Sequence, residues 1–178
     1  MSEYVDTTIT CNPPRAVREG DRNARAVYWL ALGTFAVGTE GFMIAGLLPD
    51  IASSLSVSQS TAGYLVTIFS LAYAISSPVL TALLAGINRR RLMIGSLGAF
   101  ALANLVAAST HSFWSLAAAR VLLAFSAGLY VPGANALAGT LVAPERRGKA
   151  LAVINGGITL AIALGVPAGA LIGNHLGW

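Results

Sequence analysis

The sequence has 178 residues, 56% hydrophobic and 10% charged, with a formal net charge of +4 and a mean hydropathy of +0.71. Soluble domains carry about 25% charged residues, so this chain has too little charge to cover a globule in water, and lipid must cover the rest. The apolar content excludes intrinsic disorder, and the single cysteine, Cys11, excludes a disulfide scaffold and a thiolate metal cluster.

Residues 1–25 hold Glu3, Asp6, Glu19, Asp21 and the pair Pro13-Pro14 without an apolar run. They lack the basic start and apolar core of a cleaved signal, so a disordered cytoplasmic tail is expected. Residues 26–178 then carry five stretches nearly free of charge, at 26–49, 61–86, 92–109, 114–142 and 150–172. A hydrocarbon core of ~30 Å needs ~20 helical residues at 1.5 Å rise, and each stretch meets or approaches that length. The expected fold class is an all-α membrane protein, a polytopic transmembrane helix bundle. Its short connectors predict antiparallel contact between consecutive helices. Ser58 or Ser60 is placed to cap the second span, its hydroxyl satisfying a backbone N–H that lipid cannot.

The basic residues set the orientation. Arg15, Arg18, Arg22 and Arg25 precede the first span, Arg89, Arg90 and Arg91 fill the second connector, and Arg146, Arg147 and Lys149 fill the fourth. The first and third connectors and the C-terminal stub carry none. This bias predicts a multi-pass protein of the plasma (inner) membrane with a cytoplasmic N-terminus. The net positive charge therefore reads as topology and attraction to anionic lipid, and nucleic acid is not an expected partner.

Two charges, Glu40 and Arg120, lie inside the apolar runs. Glu40 shares a helix face with Gly33, Ala36 and Ile44. Arg120 opens a stripe through Ala124, Gly128 and Pro132, which Asn135 and Gly139 continue with a small offset. Counting ~1.5 Å per residue from the same membrane face puts Glu40 at ~14 Å depth and Arg120 at ~10 Å. An isolated charge at such a depth costs at least ~2.5–3.5 kcal/mol, so the two are expected to pair or to share a hydrated cavity. Two readings stay open: a permanent salt bridge that fixes packing, or a switch in which separation of the helices restores the proton affinity of Glu40.

The fifth span carries Gly157, Ala161, Gly165, Gly169 and Gly173 at a spacing of four, lining one face with residues that let another helix approach closely. This face either packs tightly within the bundle or rocks against a second bundle. Pro167 removes a backbone donor and predicts a kink or hinge near Ala163. Asn104, Asn135 and Asn155, with Ser70, Ser76, Ser77 and Thr81, read as packing groups. Tyr64, Phe69, Tyr73 and Tyr130 are either filler or a stacking surface for a substrate, and Tyr64, Tyr73 and Asn135 are the candidate cavity-lining residues. The sequence contains no phosphate-binding loop, dinucleotide fingerprint or HExxH. The histidines, His111 and His175, lie in a connector and the stub, so neither an enzyme nor a metal or organic cofactor is expected.

Several segments resemble the N-terminal half of a major facilitator superfamily transporter, closest to drug- and sugar-efflux proton antiporters of the arabinose-efflux-permease-like branch. GTEGFMIAGLLPDIA at 38–52 is similar to the first helix of that branch, whose Glu corresponds to Glu40. PVLTALLAGINRRRL at 78–92 resembles the signature loop between helices two and three, whose basic cluster matches Arg89, Arg90 and Arg91. Where that signature carries Gly, Asp and Gly, this chain carries Thr81, Ala85 and Asn88. RVLLAFSAGLYVPGANAL at 120–137 resembles the fourth-helix motif whose Arg, implicated in proton transfer, matches Arg120. GVPAGALIG at 165–173 resembles the antiporter motif, with Val166 between Gly165 and Pro167. PERRGKAL at 144–151 resembles a common connector after the fourth helix.

The resemblance implies a six-helix half built from inverted three-helix repeats, with the first and fourth helices lining a cavity. Five of its six spans are present, so the chain is expected to be a fragment. A missing C-terminal half or a second copy would complete it. The implied function is proton-coupled efflux of a small amphipathic compound or sugar by alternating access. In that reading Glu40 and Arg120 couple the proton, and Arg89, Arg90 and Arg91 serve the cytoplasmic gate. The alternative is a non-transporting assembly or regulatory subunit that docks through the Gly-rich fifth span.

Overall fold

A computed structural model describes residues 13–110 and 112–176. Residues 1–12 of the expected tail, with Cys11, lie outside the described residues, as do His111 and the side chain of His175. The described chain is helical, with α1 at Pro13–Ser54, α2 at Gln59–Leu83, α3 at Arg89–Ala108 and α4 at Phe113–Leu141. A 3₁₀ turn at Pro144–Arg146 leads into α5 at Arg147–Leu160, followed by a π-helical segment at Ala161–Gly165 and α6 at Val166–Leu176. Five of the resulting rods are long and apolar enough to cross a membrane, the fifth comprising α5, the π segment and α6.

Each boundary has a local cause. α1 starts at Pro13, so residues 13–25, expected as disordered tail, are helical. Proline is favoured in a first helical turn because its missing N–H has no intrahelical partner there in any case. α1 ends in a Schellman motif: the Ser56 N–H bonds the Ser53 carbonyl at 3.3 Å and the Val57 N–H bonds the Ala52 carbonyl at 3.0 Å. Ser56 occupies the left-handed position (φ 53°) where glycine is usual. Ser58 caps α2, its hydroxyl accepting the Thr61 N–H at 3.1 Å. Asn88 caps α3 by accepting the Arg90 N–H at 3.0 Å, and Ser112 caps α4 through the Ser115 N–H at 3.3 Å.

Lateral packing departs from chain order. α2 and α3 are consecutive, yet their extensive contacts are both with α4, and α1 packs mainly along α5, the π segment and α6. Small residues decide this. A Cβ on Gly128 of α4 would lie 2.6 Å from the Ser76 hydroxyl of α2, and that hydroxyl donates to the Ala124 carbonyl at 3.5 Å. On the other side, Thr34 of α1 donates to the Ile154 carbonyl of α5 at 2.8 Å, while Gly157 sits directly against Ala31 and Thr34. A short connector sets the antiparallel sense of two helices, but which groove a helix occupies depends on where backbones can approach.

Two apolar clusters fill the interior. One, toward the end that carries Arg25, Arg89 and Arg147, includes Val27, Leu30, Val37, Phe100, Leu123, Tyr130 and Ile154. The other, toward the opposite end, includes Ile44, Leu47, Ile51, Leu65 and Leu116. Glu40 falls between Val37 and Ile44 on α1, and Arg120 between Leu116 and Leu123 on α4, so both charges stand where the clusters meet.

Candidate functional site

Glu40 and Arg120 are separated by 80 residues in sequence and joined in space: Arg120 Nη1 donates to Glu40 Oε1 in a salt bridge between α1 and α4. The Arg120 side chain is 2% exposed and that of Glu40 14%. Phe69 of α2 lies flat against the guanidinium, with Cζ 4.5 Å from the ring centroid. Phe69 in turn stacks on Tyr73 at 6.2 Å. A cation over an aromatic face is worth ~2 kcal/mol or more when desolvated, so Phe69 offsets part of the cost of burying Arg120. Glu40 Oε2, Arg120 Nε and Arg120 Nη2 are buried with no hydrogen-bond partner among the described residues.

Glu40 and Arg120 are among the residues lining a half-open cavity of about 490 Å³ between α1, α3, α4, the π segment and α6. Its walls are mainly apolar, with Met43, Ile44, Leu47 and Leu116 toward one end. Thr39 and Asn104 are the other polar residues among those lining it. The Thr39 hydroxyl is engaged by the Phe35 carbonyl at 2.9 Å, and the Asn104 amide donates to the Phe100 carbonyl at 2.9 Å.

The small-residue stripe of the fifth span faces α1 throughout. Gly165 abuts Thr39, Gly169 abuts Met43, Gly173 abuts Leu47, and the Ala161 methyl would lie 3.0 Å from a Cβ on Gly38. Of the two readings of this stripe, the described residues show tight packing within the bundle, against α1. Pro167 follows the π segment that contains Ala163, its residue i−4, so the missing donor coincides with the change in helical pitch.

The expected cavity-lining residues do not line the cavity beside the pair. Tyr64 is largely exposed on α2, Tyr73 packs beside Phe69, and Asn135 accepts from the Asn155 amide at 3.4 Å. Tyr130 links α4 to α1, donating to the Leu30 carbonyl at 3.2 Å against Gly33. Arg89, Arg90 and Arg91 are exposed at the start of α3. Phe69, offered by the sequence as filler or a stacking surface, stacks on Arg120, and Thr39 and Met43 escaped the sequence reading as site residues. The signal for Thr39 was its place beside Glu40, and for Met43 the helical spacing from it.

A sequence profile of the Major Facilitator Superfamily matches residues 30–178. The chain belongs to this superfamily. It is 40% identical over 156 residues to "Uncharacterized MFS-type transporter YbcL" of Bacillus subtilis, covering 88% of this chain and 40% of the relative. It is 42% identical over 152 residues to "Chloramphenicol resistance protein" of Streptomyces lividans, covering 85% and 39%. "Inner membrane transport protein YdhP" of Escherichia coli is 32% identical over 149 residues, covering 84% and 38%. The chain thus spans about two fifths of the length of these curated relatives. Family and helices together make it a multi-pass membrane protein of the superfamily's helical bundle type.

Proposed function

We propose that this superfamily member forms part of a proton-coupled exporter of small amphipathic molecules, with Glu40 accepting the proton and Arg120 governing how readily it does so. The observation that carries this reading is the buried ion pair between α1 and α4, whose two residues line a cavity. Water or substrate entering the cavity competes with Arg120 for the carboxylate. Parting α1 from α4 removes the neighbouring positive charge, which favours proton uptake. Binding a proton and releasing a substrate at one midplane locus is the requirement of alternating access between two bundles. The names of the relatives in Streptomyces and E. coli support an export role in an inner membrane, and the basic connectors support a cytoplasmic N-terminus.

The test is transport in everted vesicles, with this chain joined to the part of the Streptomyces relative beyond its matched region. Chloramphenicol is the trial substrate. Uptake driven by a pH gradient should be abolished in Glu40→Gln while the protein remains inserted. Undiminished gradient-driven uptake in that variant would remove Glu40 from the coupling role.

A further inference from the structure

The part of the bundle built from α2, α3 and α4 carries an unbalanced charge at one end. Residues 51–144, which contain all three helices, hold Arg89, Arg90, Arg91 and Arg120 and no Asp or Glu. Arg120 is paired with Glu40 of α1, whereas Arg89, Arg90 and Arg91 are exposed and enter no salt bridge among the described residues. Arg91 also lines a groove of about 310 Å³ between these helices. Below it the walls are Gly95 and Ala99 of α3 and Phe125 and Leu129 of α4. Ser96 and Ser126 line the groove too, but their hydroxyls donate to the Met93 and Leu122 carbonyls at 3.0 Å, so the wall presents no free donor. The hollow exists because α3 is small here: a Cβ on Gly95 would meet nothing within 4 Å. Ile94 and Leu97, which flank it on α3, are exposed, so the groove opens sideways toward lipid. From Arg91 to Ala99 the helix rises ~12 Å at ~1.5 Å per residue, close to the ~15 Å that one leaflet contributes to a ~30 Å hydrocarbon core.

We propose that this groove binds one anionic diacyl phospholipid, its phosphate paired with Arg91 and one acyl chain laid against Gly95, Ala99, Phe125 and Leu129. A guanidinium matches phosphate through two parallel N–H···O bonds and keeps its charge at any physiological pH. A zwitterionic headgroup would bring an ammonium against arginines that no carboxylate of these helices offsets, so a headgroup of net negative charge is selected. Basic connectors in general attract an anionic surface, but Arg146, Arg147 and Lys149 do not line this groove. Only Arg91 joins a cation to a slot for a chain, and that conjunction turns a diffuse attraction into a site. The site makes no use of Glu40 or of a proton gradient, so it stands apart from the transport reading.

The test is native mass spectrometry of the full 178-residue chain, released from detergent micelles that hold equal amounts of phosphatidylglycerol and phosphatidylethanolamine with the same acyl chains. One phosphatidylglycerol should be retained, at least fivefold in preference to phosphatidylethanolamine. Arg91→Gln should lower that retention at least fivefold. Gly95→Phe, whose ring enters open space, should do the same with an unchanged circular dichroism spectrum. Arg146→Gln combined with Arg147→Gln, which removes two charges outside the groove, should leave retention within twofold. An equal loss in that control would overturn the proposal in favour of diffuse attraction, and equal retention of the two lipids would overturn it by removing charge selection. Wild-type retention in a folded Gly95→Phe would show that no chain lies in the groove, and Arg91→Gln decides the matter if that variant folds poorly. Glycerol 3-phosphate, which lacks a chain, and oleate, which lacks a phosphate, should not displace the lipid at equal concentration. Displacement by either would overturn the two-part match.

Discussion

Gly156 and Gly157 are adjacent on α5, yet their surroundings differ so sharply that substituting each with alanine should have opposite effects. A Cβ on Gly157 would overlap the Ala31 carbonyl oxygen and lie 2.5 Å from the Thr34 hydroxyl, whereas one on Gly156 would meet nothing within 4 Å. The first obstacle is backbone and cannot rotate away. The second is fixed by its bond to the Ile154 carbonyl at 2.8 Å. Relief therefore requires α5 to move off α1, at an overpacking cost of typically 1–3 kcal/mol. The strained interhelical hydrogen bond adds about 0.6 kcal/mol. Both substitutions gain up to ~1 kcal/mol of helix propensity, so the difference between them isolates the contact at about 2–4 kcal/mol. Equilibrium unfolding in mixed micelles with increasing dodecyl sulfate, followed by circular dichroism, measures it. Gly156→Ala should match or slightly exceed the wild type, and Gly157→Ala should unfold at distinctly lower dodecyl sulfate. Indistinguishable midpoints would refute the claim that α1 and α5 meet at backbone distance here.

The same unfolding assay tests the ion pair: Arg120→Met alone should destabilise by about 3–5 kcal/mol, since it strands a buried carboxylate, whereas Arg120→Met with Glu40→Leu should lie near the wild type. Equal losses in both variants would contradict a desolvated pair. Ser56→Gly should stabilise the chain by ~0.5–1 kcal/mol, because the left-handed backbone at this α1 terminus disfavours a side chain, and a lowered unfolding midpoint would count against that assignment. Cys11, as the sole thiol, reports orientation: a membrane-impermeant maleimide should label it in everted vesicles and not in intact cells. Labelling in intact cells would reverse the proposed topology.

What the residues made legible follows from which physical rules act along one helix. Helical rise is fixed, so the depths of Glu40 and Arg120 followed from counting, and the structure joins them. Capping chemistry is local, so Ser58 was readable as the start of α2. Lateral arrangement is not local. Nothing in the α2–α3 connector indicates that both helices lie on α4, because that outcome depends on Gly128 meeting Ser76 of α2 and Gly133 meeting Met93 of α3, contacts far apart in the chain. Aromatic roles are not local either. Phe69, Tyr73 and Tyr130 looked equivalent as rings within spans, and only the packed bundle separates the ring against Arg120 from the one tethering α1. The helical start at Pro13 was missed because polar composition was weighed above the fit of proline to a first turn.

The place of the charged pair at the junction of two apolar clusters bears on leakage. Between the carboxylate and the end that carries Arg25 stand several turns of close packing formed by Val37, Leu30, Leu123 and Tyr130. At that level the Tyr130 hydroxyl donates to the Leu30 carbonyl and the Thr34 hydroxyl to the Ile154 carbonyl, so both are already engaged. In this arrangement of the helices, then, the pair is shut off from the Arg25 end by a plug of interlocked side chains.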